Sequence, residues 1–329
     1  MKKIAVVFNG GTISMKVDER IQAAVPSLTA EEIMAMVTGI EGFAKIESHS
    51  FSSLPSPHIT PDIMLDLSKF VQELVERDDI DGVVITHGTD TLEETAYFLD
   101  LTIKTEKPIV ITGAMRSSSE LGYDGPFNLA TSICTAISEE AKARGVLVCF
   151  NGELNSASEV TKANSMSLNA FKTPSFGPIG IVDNNKVIFY RDVIENTYIP
   201  IDKLDKKVGL IKCVSGMDED IVNFYTNNNY SGLVIEAMGR GNVPPNIVPA
   251  IEKALHKGLI IVVTSRCFEG RVFESYGYIG GGKNLRDLGV IFGESMPGQK
   301  ARIKLLISLS AKFKKSKIQD VFEQGRYII

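Results

Sequence analysis

Gly82-Val83-Val84-Ile85-Thr86-His87-Gly88-Thr89-Asp90-Thr91-Leu92-Glu93-Glu94 decides the fold class of this 329-residue chain. A β-branched apolar run that stops abruptly at small polar residues reads as a buried strand delivering its C-terminal end to a site. The spacing of Thr91 and Glu94 matches a capping box, which predicts a helix starting there with Thr91 as N-cap. Thr89 and Asp90 then sit between a strand end and a helix start. Unpaired amides and the positive end of the helix dipole favour negative charge at that place. An acidic residue, two hydroxyls and an oxyanion-favouring backbone within six residues point to amide chemistry more than to packing.

Outward from this stretch, apolar strands alternate with amphipathic helices, the pattern of an α/β fold with a mainly parallel sheet. Strands are predicted at Ile4–Phe8, Gly82–Ile85, Pro108–Thr112, Val146–Phe150, Val208–Cys213, Gly232–Ile235 and Leu259–Thr264. Thr60-Pro61 opens the clearest helix, an N-cap followed by proline at the first helical position. Its apolar residues Ile63, Met64, Leu67, Phe70, Val71, Leu74 and Val75 recur at helical spacing, so one face should pack on the sheet. Thr29-Ala30-Glu31-Glu32 begins another helix with a capping box. Between Glu195 and Lys207 the sequence turns polar and irregular, which sets the expected organisation: domain 1–195, linker 196–207 and a smaller α/β domain 208–329.

Composition narrows the function classes. Apolar content of 44%, charge of 23% and a formal net charge of −5 suit a globular protein and give no footing to nucleic acid or an anionic membrane as partner. The basic run Lys312-Phe313-Lys314-Lys315-Ser316-Lys317 is local and reads as a solvated face. No apolar stretch approaches a membrane span, and Ile4–Phe8 is too short for a signal segment, so it reads as a first strand. Cys134, Cys149, Cys213 and Cys267 are far apart, with no Cys-x-x-Cys pairing, which fits a reducing cytoplasm.

A second motif follows the first strand: Asn9-Gly10-Gly11-Thr12-Ile13, where two glycines let backbone approach a ligand and Thr12 presents a hydroxyl past the strand end. Together with Thr86–Thr91, these segments resemble the signatures of the bacterial-type L-asparaginase family. Ile111–Arg116, Asp124–Leu129, Lys162 with Met166, Asn169–Phe171 and Gly239–Pro244 extend the resemblance over nearly the whole chain. It implies a flavodoxin-like N-terminal domain with a parallel sheet and a cytoplasmic enzyme hydrolysing L-asparagine without metal or organic cofactor. Thr12 would be the nucleophile. Thr89, Lys162 and Asp90 would form a second group that relays protons and activates water. A threonine hydroxyl needs a base, and a partly buried lysine with a lowered pKa is one candidate; His87, between threonines, reads as structural. Amides near Gly11 and Thr89 would meet the oxyanion. Gly11, Ser56, Pro57, Gly88, Thr89, Asp90, Ala114 and Asn242 would bind substrate, Ser56 holding the α-carboxylate and Asp90 the α-ammonium. The resemblance also makes Asn242 a residue contributed across a subunit interface, so a homodimer or homotetramer with interfacial sites is implied.

Two features depart from the family pattern. Its members carry a tyrosine on the mobile loop after Gly-Gly-Thr, whereas Ile13 to Thr29 contains none here, leaving Asp18 and Glu19 as stand-ins. Pro57 replaces a hydrogen-bonding residue after Ser56, with His58 beside it. Alternatives to asparagine hydrolysis are an amino-acid sensor with little turnover, or a family amidase preferring glutamine or another amide. The family's glutamine-deamidating subunit for tRNA-dependent amidation carries an N-terminal extension, and here the first motif already begins at Gly10. Gly277-Tyr278-Ile279-Gly280-Gly281-Gly282-Lys283-Asn284 nearly matches a P-loop but has Asn284 where Ser or Thr should bind magnesium.

Overall fold

The computed structural model describes residues 1–40, 42–192 and 197–323. Glu195 and Asn196, where the expected N-terminal domain meets its linker, lie outside the described residues, as do 324–329. Contacts divide the chain into two units, Met1–Tyr198 and Ile199–Ile329.

The first unit begins with β1 (Lys2–Asn9), the hairpin β2 (Met15–Asp18) and β3 (Ala23–Pro26), then α1 (Ala30–Ala35) and β4 (Ala44–Ser52). Next come α2 (Pro61–Glu76), β5 (Gly82–His87), α3 (Leu92–Thr102), β6 (Ile109–Thr112), α4 (Gly125–Ile137) and β7 (Val146–Phe150). Short strands close the unit: β8 (Glu153–Ser156), β9 (Thr161–Lys162), β10 (Phe171–Lys172), β11 (Gly180–Asp183) and β12 (Lys186–Phe189). An eight-stranded sheet runs β12-β11-β8-β7-β6-β5-β1-β4, parallel from β7 to β4 and antiparallel from β7 to β12.

Strand alternation explains both cores. Ala5 and Val7 of β1, with Val83 and Ile85 of β5, face Leu67, Val71, Leu74, Leu92, Ala96 and Leu99 of α2 and α3. Ile4, Val6 and Val84 face the opposite way, towards Ile33, Leu129 and Ile133 of α1 and α4. Each fully buried Val, Ile or Leu side chain contributes roughly 1.5–3 kcal/mol, so covering both faces secures the parallel strands.

The helix starts at Thr29 and Thr60 behave as expected. Thr29 and Glu32 complete a capping box, and Thr60 accepts from the Ile63 amide with Pro61 at the first helical position. Thr91 corrects the third expectation. It stands at the N-cap position, yet with φ −121° and ψ 11° its side chain caps nothing; the hydroxyl donates instead to the Ser56 carbonyl at 2.8 Å. The hydroxyl is spent on tying α3 to the neighbouring loop.

The second unit holds β13 (Val208–Lys212), α5 (Asp220–Asn227), β14 (Gly232–Ala237), α6 (Val248–His256) and β15 (Ile260–Ser265). After them come α7 (Gly282–Leu288), β16 (Ile291–Phe292), α8 (Gly298–Ser310) and α9 (Lys315–Glu323). Its four-stranded sheet, β13-β14-β15-β16, is parallel throughout. The basic run at 312–317 straddles the turn between α8 and α9, with its four lysines exposed.

Candidate active site

Neighbouring parallel strands in register end at the same level, and this is how the two threonine motifs meet. β1 pairs with β5 through Phe8↔Thr86 and Asn9↔His87, and β5 pairs with β6 through Thr86↔Thr112. Just past these ends the backbones nearly touch. A Cβ added to Gly11 would fall 2.3 Å from the Gly88 nitrogen, one on Gly88 2.7 Å from Ser56 Cβ, and one on Gly113 2.3 Å from the His87 carbonyl oxygen. Gly11 also holds φ 87° and ψ 179°, a region essentially restricted to glycine. Only glycine fits where three strand ends converge.

Thr12 opens a short 3-10 turn, Thr12–Ser14, directly after Gly11. Thr89 is buried, and its Oγ1 accepts a hydrogen bond from Lys162 Nζ at 2.8 Å. The same Nζ donates to Asp90 Oδ1 at 2.7 Å, closing a Thr-Lys-Asp cluster. The Lys162 side chain is 15% exposed and that of Asp90 61%, so the ammonium is sheltered while the carboxylate keeps an open side. Ser56 is buried, and its Oγ accepts from the Asp90 amide at 3.1 Å, which leaves the hydroxyl proton available to an anionic group. Pro57 and His58 share its turn and are exposed. Ala114 is buried in the loop after β6, next to Gly113.

His87 plays the structural part expected. It is fully buried, with Nδ1 2.8 Å from the Gly88 carbonyl and Nε2 2.9 Å from Thr95 Oγ1. A carbonyl only accepts, so Nδ1 carries the proton and Nε2 accepts from Thr95. Burial pushes its pKa down to about 4.

Three positioning residues escaped the sequence reading. Glu93, buried in the first turn of α3, accepts from the Lys162 amide at 3.1 Å and from Thr161 Oγ1 at 3.2 Å, docking β9 onto α3. Asp124 accepts from the amides of Met115 and Arg116 and from Asn128 Nδ2, each at about 3 Å. Asn128 in turn donates to the Gly113 carbonyl at 2.9 Å and accepts from the Asn151 amide at 2.9 Å. The signal for Asp124 and Asn128 was present in Asp124-Gly125-Pro126-Phe127-Asn128, although no spacing rule reveals which loop they hold. Of the stand-ins for the missing tyrosine, Asp18 is engaged by Arg20 at 2.8 Å, which holds its carboxyl below the usual range, and Glu19 is exposed.

Asn242 belongs to the second unit, where its backbone bridges Met238 and its Oδ1 is buried without a hydrogen-bond partner among the described residues. The glycine-rich stretch at 277–284 lacks P-loop architecture. No strand runs anywhere from 266 to 281, and Asn284 Oδ1 accepts from the Gly280 amide at 2.9 Å, closing its own turn. No group of three or more His, Cys, Asp or Glu side chains suited to hold a metal ion occurs among the described residues.

Comparisons with known proteins converge on one family. Residues 3–195 match the family model "Asparaginase, N-terminal", and residues 207–322 match "Glutaminase/Asparaginase C-terminal domain". The chain is 36% identical over 321 residues to an L-asparaginase of Bacillus licheniformis, covering 98% of this chain and 99% of that protein. It is 31% identical to a glutamyl-tRNA(Gln) amidotransferase component of Methanobrevibacter smithii, covering 92% of this chain but 71% of that one. Among solved structures, a probable cytoplasmic L-asparaginase from Campylobacter jejuni superposes with a TM-score of 0.88 at 34% identity, covering 98% and 99% of the two chains. Family models matching both units and a 36% identical relative covered almost end to end make this chain a member of the asparaginase family.

Proposed function

We propose that the protein hydrolyses L-asparagine to L-aspartate and ammonia through an acyl-threonine enzyme. The observation that carries this reading is the Thr89–Lys162–Asp90 cluster, set where the backbone after β5 meets the Gly11-Thr12 turn. Thr12 Oγ1 attacks the side-chain carboxamide carbon and its proton passes towards the departing nitrogen. Amides near Gly11 and Thr89 stabilise the tetrahedral oxyanion. Collapse breaks the C–N bond and releases ammonia, leaving an ester on Thr12. Water, oriented by Thr89 and Lys162, attacks the ester; aspartate leaves and Thr12 regains its proton. Asp90 pairs with the α-ammonium through its open side, and Ser56 donates to the α-carboxylate. Gly88, Ala114 and Pro57 shape the pocket around these contacts.

Full-length similarity to an L-asparaginase favours asparagine over glutamine as the amide, and the amidotransferase relative extends well beyond this chain's span. We place the enzyme in the cytoplasm, as the Campylobacter jejuni protein is described; no described helix is long and apolar enough to cross a membrane. We assign it a homodimer or homotetramer, with Asn242 reaching the site of a second copy. Asn242 as a whole is half-buried, which leaves part of the residue open to a second copy.

The test measures ammonia release from L-asparagine and L-glutamine by wild type, Thr12→Ala and Thr89→Val. Turnover of asparagine that falls by orders of magnitude in both variants is expected. Retention of turnover by Thr12→Ala overturns the nucleophile. No release from either amide by the wild type turns the reading towards a sensor that binds without hydrolysing.

A further inference from the structure

The segment from 13 to 29 has no tyrosine, yet a tyrosine hydroxyl does reach the nucleophile's turn from elsewhere. Tyr123 Oη donates to the Ile13 carbonyl at 2.6 Å, within the 3-10 turn that starts at Thr12. Its loop then grips the departing chain twice more. Ser118 donates to the Met15 carbonyl through both its amide (3.1 Å) and its hydroxyl (3.0 Å), and the Val17 amide donates to Ser119 Oγ at 3.0 Å. Ile13 of the turn and then residues 15 and 17 of β2 are thus held in succession.

Tyr123 is itself rigidly seated. Its ring packs on the core face formed by α1 and α4, and a Cβ on Gly125 would fall 2.5 Å from Cζ and Oη. The next residue, Asp124, anchors the loop carrying Ala114 through the Met115 and Arg116 amides. Burial and the nearby Asp124 charge raise the Tyr123 hydroxyl's pKa, so it stays a donor throughout the working pH range. Two adjacent residues therefore couple two loops of the candidate site, one carrying the nucleophile and the other lining the pocket.

We propose that Tyr123 is a positioning residue for Thr12, its hydroxyl pinning the Ile13 carbonyl so that Thr12 Oγ1 stays in attacking geometry. This rests on the asparaginase reading, with Thr12 as nucleophile. A misplacement of the attacking atom acts on turnover, whereas the proposed binding contacts, Ser56 and Asp90, lie outside this turn.

The test is Tyr123→Phe, which keeps the ring and removes only the donor, compared with wild type and Ser118→Ala. For Tyr123→Phe, kcat on L-asparagine should fall about tenfold while KM stays within about twofold. The dissociation constant of L-aspartate should likewise stay within about twofold, and amide hydrogen exchange of the peptide 12–18 should quicken about threefold or more. Ser118→Ala keeps the Tyr123 bond and the Ser118 amide, so its kcat should stay within about twofold. Wild-type kcat in Tyr123→Phe overturns the proposal, as does a loss accompanied by a matching rise in KM and in the aspartate dissociation constant. A wild type that releases no ammonia overturns the asparaginase reading and this role with it, whereas an active wild type beside an unaltered Tyr123→Phe overturns this role alone.

Discussion

Acidification should remove stability from the first unit through His87. The folded-state pKa is about 4, against 6.5 for a free imidazole, because the ring is fully buried with its Nδ1 proton committed to the Gly88 carbonyl. Between these values the unfolded chain binds a proton that the folded chain refuses. Stability therefore rises with pH across the window and is lost as pH falls from about 6.5 towards 4. At pH 4.5 the ratio of the two proton-binding factors is on the order of 100 to 1, worth about 2–3 kcal/mol, whereas at pH 7 the two factors are nearly equal. The expected loss from this one residue is therefore about 2–3 kcal/mol over that drop. His87→Asn keeps a donor for the Gly88 carbonyl but does not titrate. Urea unfolding followed by far-ultraviolet circular dichroism suits a chain without tryptophan. The transition of the first unit is fitted separately, since two units need not unfold together. Between pH 7 and 4.5 the wild type should lose about 2–3 kcal/mol more than His87→Asn. Equal losses in the two proteins would refute the reasoning, because carboxylates titrating elsewhere act on both alike.

Gly11→Ala should cost stability through its φ of 87° and abolish turnover, because its Cβ meets the Gly88 backbone; Gly39→Ala, with φ 82° and nothing within 4 Å, should cost only about 1 kcal/mol and leave turnover intact. Comparing melting temperatures with kcat separates strain from blockage. Glu93→Ala strips the Lys162 amide and Thr161 hydroxyl of a buried acceptor, so stability should fall by about 1–3 kcal/mol and kcat should fall with it. Activity unchanged in that variant would show that β9 is held in place without Glu93. Thr91→Val should leave the helix content of α3 unaltered, as judged by circular dichroism, while lowering stability by about 1 kcal/mol through loss of the Ser56 tie; a frayed α3, seen as faster hydrogen exchange over 92–95, would restore the capping role.

Legibility followed the strength of the local signal. Continuous apolar runs such as Val83-Val84-Ile85 and Val146–Phe150 announced buried parallel strands, and they were found within a residue or two of the observed β5 and β7. β4 went unread because Ala44-Lys45-Ile46-Glu47-Ser48-His49-Ser50-Phe51-Ser52 lies at the sheet edge and mixes apolar with exposed polar side chains. β8, β11 and β12 are four-residue segments paired antiparallel, too short for any period to register. Thr91 failed for a different reason. Its spacing to Glu94 was correct for a cap, but a hydroxyl can serve one acceptor at a time, and a carbonyl 35 residues away took it. Spacing rules see competition within a helix and not across a loop.

The same limit explains why the candidate site appears in the sequence as fragments. Thr12 and Thr89 are joined by strand register, and register is set by which strands lie side by side. Once β1 neighbours β5, Asn9↔His87 forces the next residues together, and Gly10-Gly11 and Gly88 become necessary rather than incidental. β6 beside β5 makes the same demand at Gly113, whose Cβ would meet the His87 carbonyl. Three parallel strands therefore each end in a glycine within two residues of their last pair, and the hydroxyls and charges follow immediately after. Glycine at a strand end is weak information alone. Glycine at three adjacent strand ends marks backbones brought closer than any side chain permits, and backbone exposed in this way can turn its amides towards a substrate carbonyl, as an amide-cleaving site requires.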